Sequence, residues 1–425
     1  MSSITGGLPP AFSRLWAAAG VSGLGDGVYM AALPLLAASL THDPFTLSLV
    51  AATAVLPWLM FGLLGGALVD RLERRRTMWT VDALRALLLA VPVAAAALGM
   101  LSVPLLIGVA FLLGTGQLLF DTAAQAYIPQ LLDRDPAGLR AANSRLQGTT
   151  SAAEGFVGPP AGSLLFALGR SVPFLADALS FAVSAALIRT LPAAPPAPRV
   201  AGASLWSEAR AGATYVFRHR LLLGMALRPA VGNIAFMAGE GVMVLFAHER
   251  LHISSSGFGL LLASQAVGGL LGSGLTGRVT ALMGTGTALT CTAVIEAIAL
   301  LGFALSPDAV LAGLCLAVLG AAMSVTMVLG ATLRQSIVPP ELIGRVTAVT
   351  RLLAVSAAPL GALLGGWLAT AAGLRAPFLA GAGLLLAMTL VTATLTNNRR
   401  VEAALAAARP ASPAPDAPAP APAAH

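Results

Sequence analysis

Asp26, Asp121, Glu154, Asp177, Glu240 and Glu296 all fall inside long apolar runs. A charged side chain at the centre of a bilayer costs about 2.5–3.5 kcal/mol on insertion scales, so each needs a partner or a task. The chemistry open to an isolated carboxyl is narrow: it exchanges a proton, or it pairs with a cation. At about 1.5 Å of rise per residue, Asp26 lies about halfway along its run and Glu154 is similarly deep. Asp121 and Glu240 lie nearer the ends of theirs. Asp82 and Arg85 stand three apart on one helical face, a spacing that predicts a local ion pair near the interface.

Other chemistry is poorly represented. The histidines are His42, His219, His248, His252 and His425, and none joins a group with metal-ligand or triad character. His248 and His252 are spaced i, i+4, but Arg250 between them departs from a zincin pattern. Cys291 and Cys315 both lie in apolar runs, which predicts packing thiols and no disulfide framework. No metal, no cofactor and no enzyme activity are expected.

The elements that must position these carboxyls are membrane helices. The chain of 425 residues is 57% hydrophobic and only 10% charged, with a mean hydropathy of +0.84. About 20 such residues span a bilayer core. Twelve spans are expected, near Leu15–Leu40, Phe45–Val69, Met78–Leu98, Val103–Tyr127, Ala141–Leu168, Val172–Leu191, Leu221–Ala247, Ser255–Val279, Gly284–Leu305, Ala309–Leu333, Ile343–Ala371 and Ala376–Thr396. The first is not a cleavable signal, because Asp26 interrupts it and no A-x-A site follows before the next span. The longest interruption, 192–220, divides an N-terminal bundle (1–191) from a C-terminal one (221–398). From Arg399 the Pro/Ala-rich tail, 399–425, cannot bury a core and is expected to be disordered.

The net charge of +7 does not indicate nucleic acid: every basic residue is Arg, and with so much Ala, Gly, Pro and Leu this reads as a GC-rich genome. With the N-terminus inside, the cytoplasmic edge receives every Arg except Arg170, Arg250 and Arg375, as the positive-inside rule requires. Both termini are therefore expected in the cytoplasm. The halves also repeat. Gly62, Gly65, Leu68 and Arg71 match Gly269, Gly272, Leu275 and Arg278 at a shift of 207, and Asp26 falls on Asn233. Pro136, Leu139, Gly158 and Gly162 match Pro339, Leu342, Gly361 and Gly365 at a shift of 203. Parallel six-span repeats are a transporter design with a substrate site near the midplane.

Two motifs resemble those of the major facilitator superfamily. "GALVDRLERR", from Gly66 to Arg75, is similar to the loop signature between the second and third spans, with Glu73 where a second Gly is usual. Gly158-Pro159-Pro160-Ala161-Gly162 is similar to the core of the antiporter motif, with Glu154 and Ser163 replacing flanking glycines. "SGLGDG", "VDALRALLLA" and the stretch from "IPQLL" to "LRAANS" resemble the branch of macrolide-efflux proteins and the enterobactin exporter. The fourth span, "FLLGTGQLLFDTAAQAY", lacks the intramembrane Arg of drug antiporters, so a coupling scheme built on that Arg does not transfer.

The resemblance implies an all-α membrane protein of two pseudo-symmetric six-helix bundles. It implies a multi-pass protein of the bacterial plasma membrane, monomeric and in contact with lipid. The expected activity is export of bulky amphipathic compounds, of antibiotic or siderophore type, in exchange for protons. An importer, a lipid transporter, or a non-transporting scaffold or sensor are the alternatives. In the family's arrangement the first, fourth, seventh and tenth spans line the cavity. Asp26 is then the leading proton site and Glu154 the second, with Asp121 and Glu240 available to a cationic substrate. Tyr29, Met30, Gln117, Phe120, Asn233, Phe236, Met237, Met323 and Met327 complete an adaptable aromatic- and Met-rich wall. Asp177 and Glu296 are expected to be structural. Gly66, Asp70, Arg71, Arg74, Arg75 and Arg345 form the expected latch between halves, with Asp70 holding the inner side shut. Arg74, Arg75 and Arg76 also serve topology. Gly158, Pro159 and Gly162 form a packing kink or hinge.

Overall fold

The computed structural model describes residues 8–69, 72–132, 135–193 and 205–408. The N-terminal half contains α1 (Pro10–Ala38), α2 (Pro44–Val69), α3 (Arg74–Ala97), α4 (Val103–Leu131), α5 (Pro136–Thr150), a π-helical segment (Ser151–Val157), α6 (Gly158–Leu168) and α7 (Val172–Arg189). A connecting helix, α8 (Leu205–Arg218), leads to the second half. There follow α9 (Arg220–Glu240), α10 (Met243–Glu249), α11 (Ser255–Met283), α12 (Thr285–Leu305), α13 (Ala309–Ile337), α14 (Pro340–Ala372), α15 (Ala376–Ala393) and α16 (Asn398–Ala408). Only helices and closed barrels satisfy every backbone group in lipid, and the sequence has chosen helices.

Eleven of these helices are long and apolar enough to cross a membrane. The fifth expected span is the exception, because the π segment breaks it between α5 and α6. The cause is local. Pro159 and Pro160 have no N–H to offer the carbonyls one turn back, and a wider turn absorbs the mismatch.

The tail departs from expectation. Residues 399–408 belong to α16, and its Val401 is buried against Leu221, Leu289 and Leu333. Asn398 anchors this helix by donating to the Met283 carbonyl at 3.0 Å and accepting from the Thr287 N–H at 3.0 Å. The Pro-rich composition begins only after Ala408, and residues 409–425 lie outside the described residues. The 192–220 connection likewise holds α8, whose Val216 packs with Val346 and Leu222.

The halves meet chiefly through α2 against α14 and α6 against α11. A Cβ at Gly366 would lie 2.6 Å from the Ser48 Cβ, and one at Gly259 would run into the Pro159 carbonyl. At the end far from the termini, one apolar cluster crosses the divide, joining Leu36, Leu47, Val50 and Phe174 to Val242, Phe246, Leu261 and Phe378. At the arginine-rich end the buried clusters stay within single halves. The interface is thus sealed by buried apolar side chains at the end far from the termini.

Candidate functional site

The site begins with Arg85. It lies eleven residues beyond Arg74, where α3 starts, hence about 16 Å into the helix. Its Nη2 is 2.7 Å from Asp26 Oδ1 and donates to Gln117 Oε1 at 2.6 Å. Gln117 passes the network on, donating from Nε2 to Asp121 Oδ1 at 3.0 Å. The guanidinium lies over the Phe181 ring, 3.8 Å from its centroid. Asp82 is the more distant partner, 3.7 Å from Arg85 Nη1, and its other oxygen accepts from Ser184 Oγ at 2.6 Å. The expected local pair near the interface is therefore one arm of a network joining the first, third, fourth and sixth spans. Small residues make room for it. A Cβ at Gly116 of α4 would sit 2.9 Å from Arg85 Cγ, and one at Gly25 would collide with Asp177 and Ser180. The fourth span lacks its own Arg, yet α3 brings one to its face.

This network borders a cavity of 260 Å³ lined by Asp26, Tyr29, Met30, Trp58, Arg85, Gln117, Glu154 and Asp177, among others. Asp177, expected to be structural, is thus part of a cavity wall. Tyr29, Met30 and Glu154 also face a larger cavity of 510 Å³ between the halves. Its other half contributes Phe236, Met237, Glu240, Gln265 and Met323. The walls of this larger cavity carry two carboxyl groups, Glu154 and Glu240, and no basic side chain among the described residues. Glu240 Oε2 is buried with no hydrogen-bond partner there. Tyr29 packs edge-on against Phe174, their centroids 6.1 Å apart.

Glu154 is placed by the π segment. Helix α1 passes close enough that a Cβ at Gly27 would lie 2.7 Å from the Glu154 carbonyl oxygen. One at Gly23 would touch the Glu154 carboxylate at 3.5 Å, and one at Gly158 would lie 2.5 Å from Gly27 Cα. Gly162 presses on the Val28 carbonyl in the same seam. Gly158 and Gly162 therefore set where the first and fifth spans touch, while the Pro159 carbonyl faces Gly259 of α11.

Three expected wall residues lie elsewhere. Phe120 is buried in the N-terminal core with Phe12, Met78 and Tyr127, on the side of α4 facing away from the cavity. Asn233 donates to the Ala354 carbonyl at 2.8 Å, bracing α9 on α14. Met327, one turn beyond Met323 on α13, is 75% exposed and does not line the enclosed space. Asp121 does not reach the cavity walls either, and touches them through Gln117.

Two basic residues were not anticipated. Arg351 of α14 reaches across the divide to the face of Trp58 on α2, its Cζ 5.0 Å from a ring centroid. Arg228 of α9 lies 3.6 Å from Glu296 Oε1 and donates to Thr292 Oγ1 and Thr326 Oγ1, each at 3.1 Å. The insertion cost that singles out buried acids applies equally to Arg, and extending it to Arg85, Arg228 and Arg351 finds all three.

Of the expected latch, Asp70 and Arg71 lie outside the described residues, as does any placement of Gly66 beyond its helix. Arg74 is buried, and Arg75 Nη1 donates to the Leu191 carbonyl within its own half at 2.9 Å. Glu73, unusual for the signature, caps α3: its carboxylate accepts from the Arg75 and Arg76 amides at 3.1 and 2.9 Å. Among the described residues no group of three His, Cys, Asp or Glu side chains is placed to hold a metal ion.

Eleven membrane-length helices and the broken fifth span, in two repeats around a central cavity, define a membrane transporter of the major facilitator type. Comparisons agree. A bacterial homologue of the iron transporter ferroportin, inward-facing, shares this fold at a TM-score of 0.73 and 14% identity, covering 92% of this chain and 100% of that one. A bacterial homologue of the human lysosomal transporter Spinster, inward-facing and unoccupied, does so at 0.69 and 15%, covering 96% and 100%. Those likenesses show the fold alone. In sequence, the multidrug efflux pump Tap of Mycolicibacterium fortuitum is 31% identical over 398 residues, 91% of this chain and 96% of that protein. The enterobactin exporter EntS of Citrobacter koseri is 26% identical, covering 92% and 93%. The family described as transmembrane secretion effectors matches residues 8–419, and the chain belongs to this family of the major facilitator superfamily. It is a multi-pass membrane transporter, not an enzyme.

Proposed function

We propose that the protein exports cationic amphipathic compounds across the bacterial inner membrane in exchange for protons, by alternating access as a monomer. The observation that carries this reading is the larger cavity, with apolar walls, one carboxyl from each half and no basic group facing them. A desolvated carboxylate in such a space repels an anion and holds a cation by charge-assisted contact. Export, as opposed to uptake, is supported by the efflux and export functions of the Tap and EntS relatives and by the likeness of Gly158-Pro159-Pro160-Ala161-Gly162 to the antiporter motif.

The coupling step follows from the neighbouring network. With Asp26 ionised, Arg85 is neutralised by a direct hydrogen-bonded pair across α1 and α3. A proton taken by Asp26 releases that bond, and Arg85 turns to Asp82 and Gln117, which already flank it. Glu154 lines both cavities and takes a proton from water as the bound compound leaves it. Protonation at Glu154 and Glu240 removes the charges that hold a cation, so proton and substrate compete. The termini lie in the cytoplasm in this reading, and the latch assigned to Asp70 and its partners holds that end shut when the cavity faces the other side.

Ethidium binding to the purified full chain checks the substrate class. Glu240→Gln and Glu154→Gln should each weaken binding about tenfold, the equivalent of 1.4 kcal/mol. Unchanged affinity in both variants would rule out cation recognition by these groups.

A further inference from the structure

The second half carries an ion cluster of its own, built with reversed polarity. In the first half the acid is on the first span and the base on the third, Asp26 with Arg85. In the second half the base is on α9 and the acid on α12, Arg228 with Glu296. The polar mediator comes from the fourth span as Gln117 and from the tenth as Thr326. These are the positions where a repeat places equivalent helices, yet the residues do not match at the repeat's shift. Asp26 falls on Asn233, and Arg85 falls on Thr292. The two clusters have been built separately on one scaffold.

The geometry of the second cluster differs from the first in a telling way. Glu296 Oε1 accepts from Thr326 Oγ1 at 2.7 Å, whereas Arg228 stands off at 3.6 Å, beyond hydrogen-bond range. Arg228 is held instead by groups that never titrate: Thr292 Oγ1, Thr326 Oγ1 and the Leu289 carbonyl. Neutralising Glu296 therefore leaves Arg228 anchored. The carboxyl also borders open space. Glu296 lines a pocket of 30 Å³ with Gly232, Phe236, Leu319, Met323 and Leu385. That volume holds about one water molecule. Phe236 and Met323 form its other face toward the main cavity.

The charged surroundings are simple. From α9, Arg228 faces Glu296, and Glu240 lies twelve residues further along that helix. From α13 come Thr326 and Met323, with Arg334 eight residues beyond Thr326. Helix α15 carries no ionisable residue. Helix α16 packs on α12 through Asn398 and Val401 and carries Arg399, Arg400 and Glu402, and α11, which carries Arg278, joins α12 through the turn at Gly284. On α12 itself Cys291 is the other titratable group.

We infer that Glu296 is a further proton-binding site, within the ion cluster of the C-terminal half, which loads and unloads through water in the central cavity. The proton arrives from cavity water, neutralises the carboxylate while Thr326 stays in contact, and returns to water when the cavity faces the other side. This rests on the antiport reading, which gives the site its role in the cycle. Protons then enter both halves, and each half senses the gradient at its own ion cluster.

Infrared difference spectra of the full chain in lipid, taken between acidic and alkaline buffer, read carboxyl protonation without a substrate. The parent should show a component of the protonated-carboxyl band that is missing in Glu296→Gln and present in Asp26→Asn, Glu154→Gln and Glu240→Gln. The double variant Arg228→Gln/Glu296→Gln, neutral throughout, should lose the same band, and it serves if the single variant fails to fold. A spectrum unchanged in both Glu296 variants overturns the site. If the band is lost as expected, yet transport by the parent in vesicles does not depend on an imposed proton gradient, the antiport reading fails and the site stands.

Discussion

At the residue scale the protein turns on where Arg85 goes. Its charge was legible in the sequence, but its partner was not, because i, i+3 spacing offers Asp82 and only the fold brings Asp26 within 2.7 Å. Gly116 is the silent half of that arrangement. Gly116→Val would place branched carbons where Arg85 Cγ and Cδ now lie, so we expect the pair with Asp26 to loosen at an overpacking cost of about 1–3 kcal/mol. Transport by this variant, assayed beside its thermal midpoint, should fall as far as that of Asp26→Asn. A fully active Gly116→Val would mean that the Arg85 position is not critical. The wall residues show the limit of reading by helix face. Tyr29, Phe236, Met237 and Met323 line the larger cavity as expected. Phe120 shares its span with a true network residue, Gln117, but points into the core.

At the element scale the departures from regular helix fall where the sequence is locally unusual. The Pro159-Pro160 pair announced a break in the fifth span; that the break takes the form of a π turn carrying Glu154 depends on the close approach of α1 at Gly23 and Gly27. Restoring both amides with Pro159→Ala/Pro160→Ala should favour a regular helix and rotate Glu154 away from the cavity. Ethidium affinity in this variant is then expected to fall like that of Glu154→Gln, and parent affinity would show that the π turn does not position the carboxyl. The cap at Glu73 makes a separate claim. Its two accepted amide bonds are lost in Glu73→Ala, which should destabilise the protein by about 1 kcal/mol, read as a lower thermal midpoint in detergent. The α16 helix was hidden because tail composition was averaged over a stretch whose first ten residues differ from the rest.

At the scale of the whole molecule, twelve spans in two repeats were legible from hydropathy and from Gly and Arg matches at two nearly equal offsets. The pairing of halves was not, because it depends on small-residue contacts such as Gly366 with Ser48 that carry no periodic signal. The sealed cluster around Phe246 and Val50 must open if the halves rock. Joining Ser48→Cys to Gly366→Cys by a short cross-linker should hold the seal and stop transport, with reduction restoring it; continued transport by the cross-linked protein would exclude rocking about the midplane. The central claim is that the Asp26–Arg85 pair couples protons to export. It is tested most directly in everted membrane vesicles, by imposing a proton gradient and following ethidium uptake. The account predicts that Asp26→Asn, expressed at parent level, shows no gradient-driven uptake. Uptake by Asp26→Asn with the parent's dependence on the gradient would contradict it.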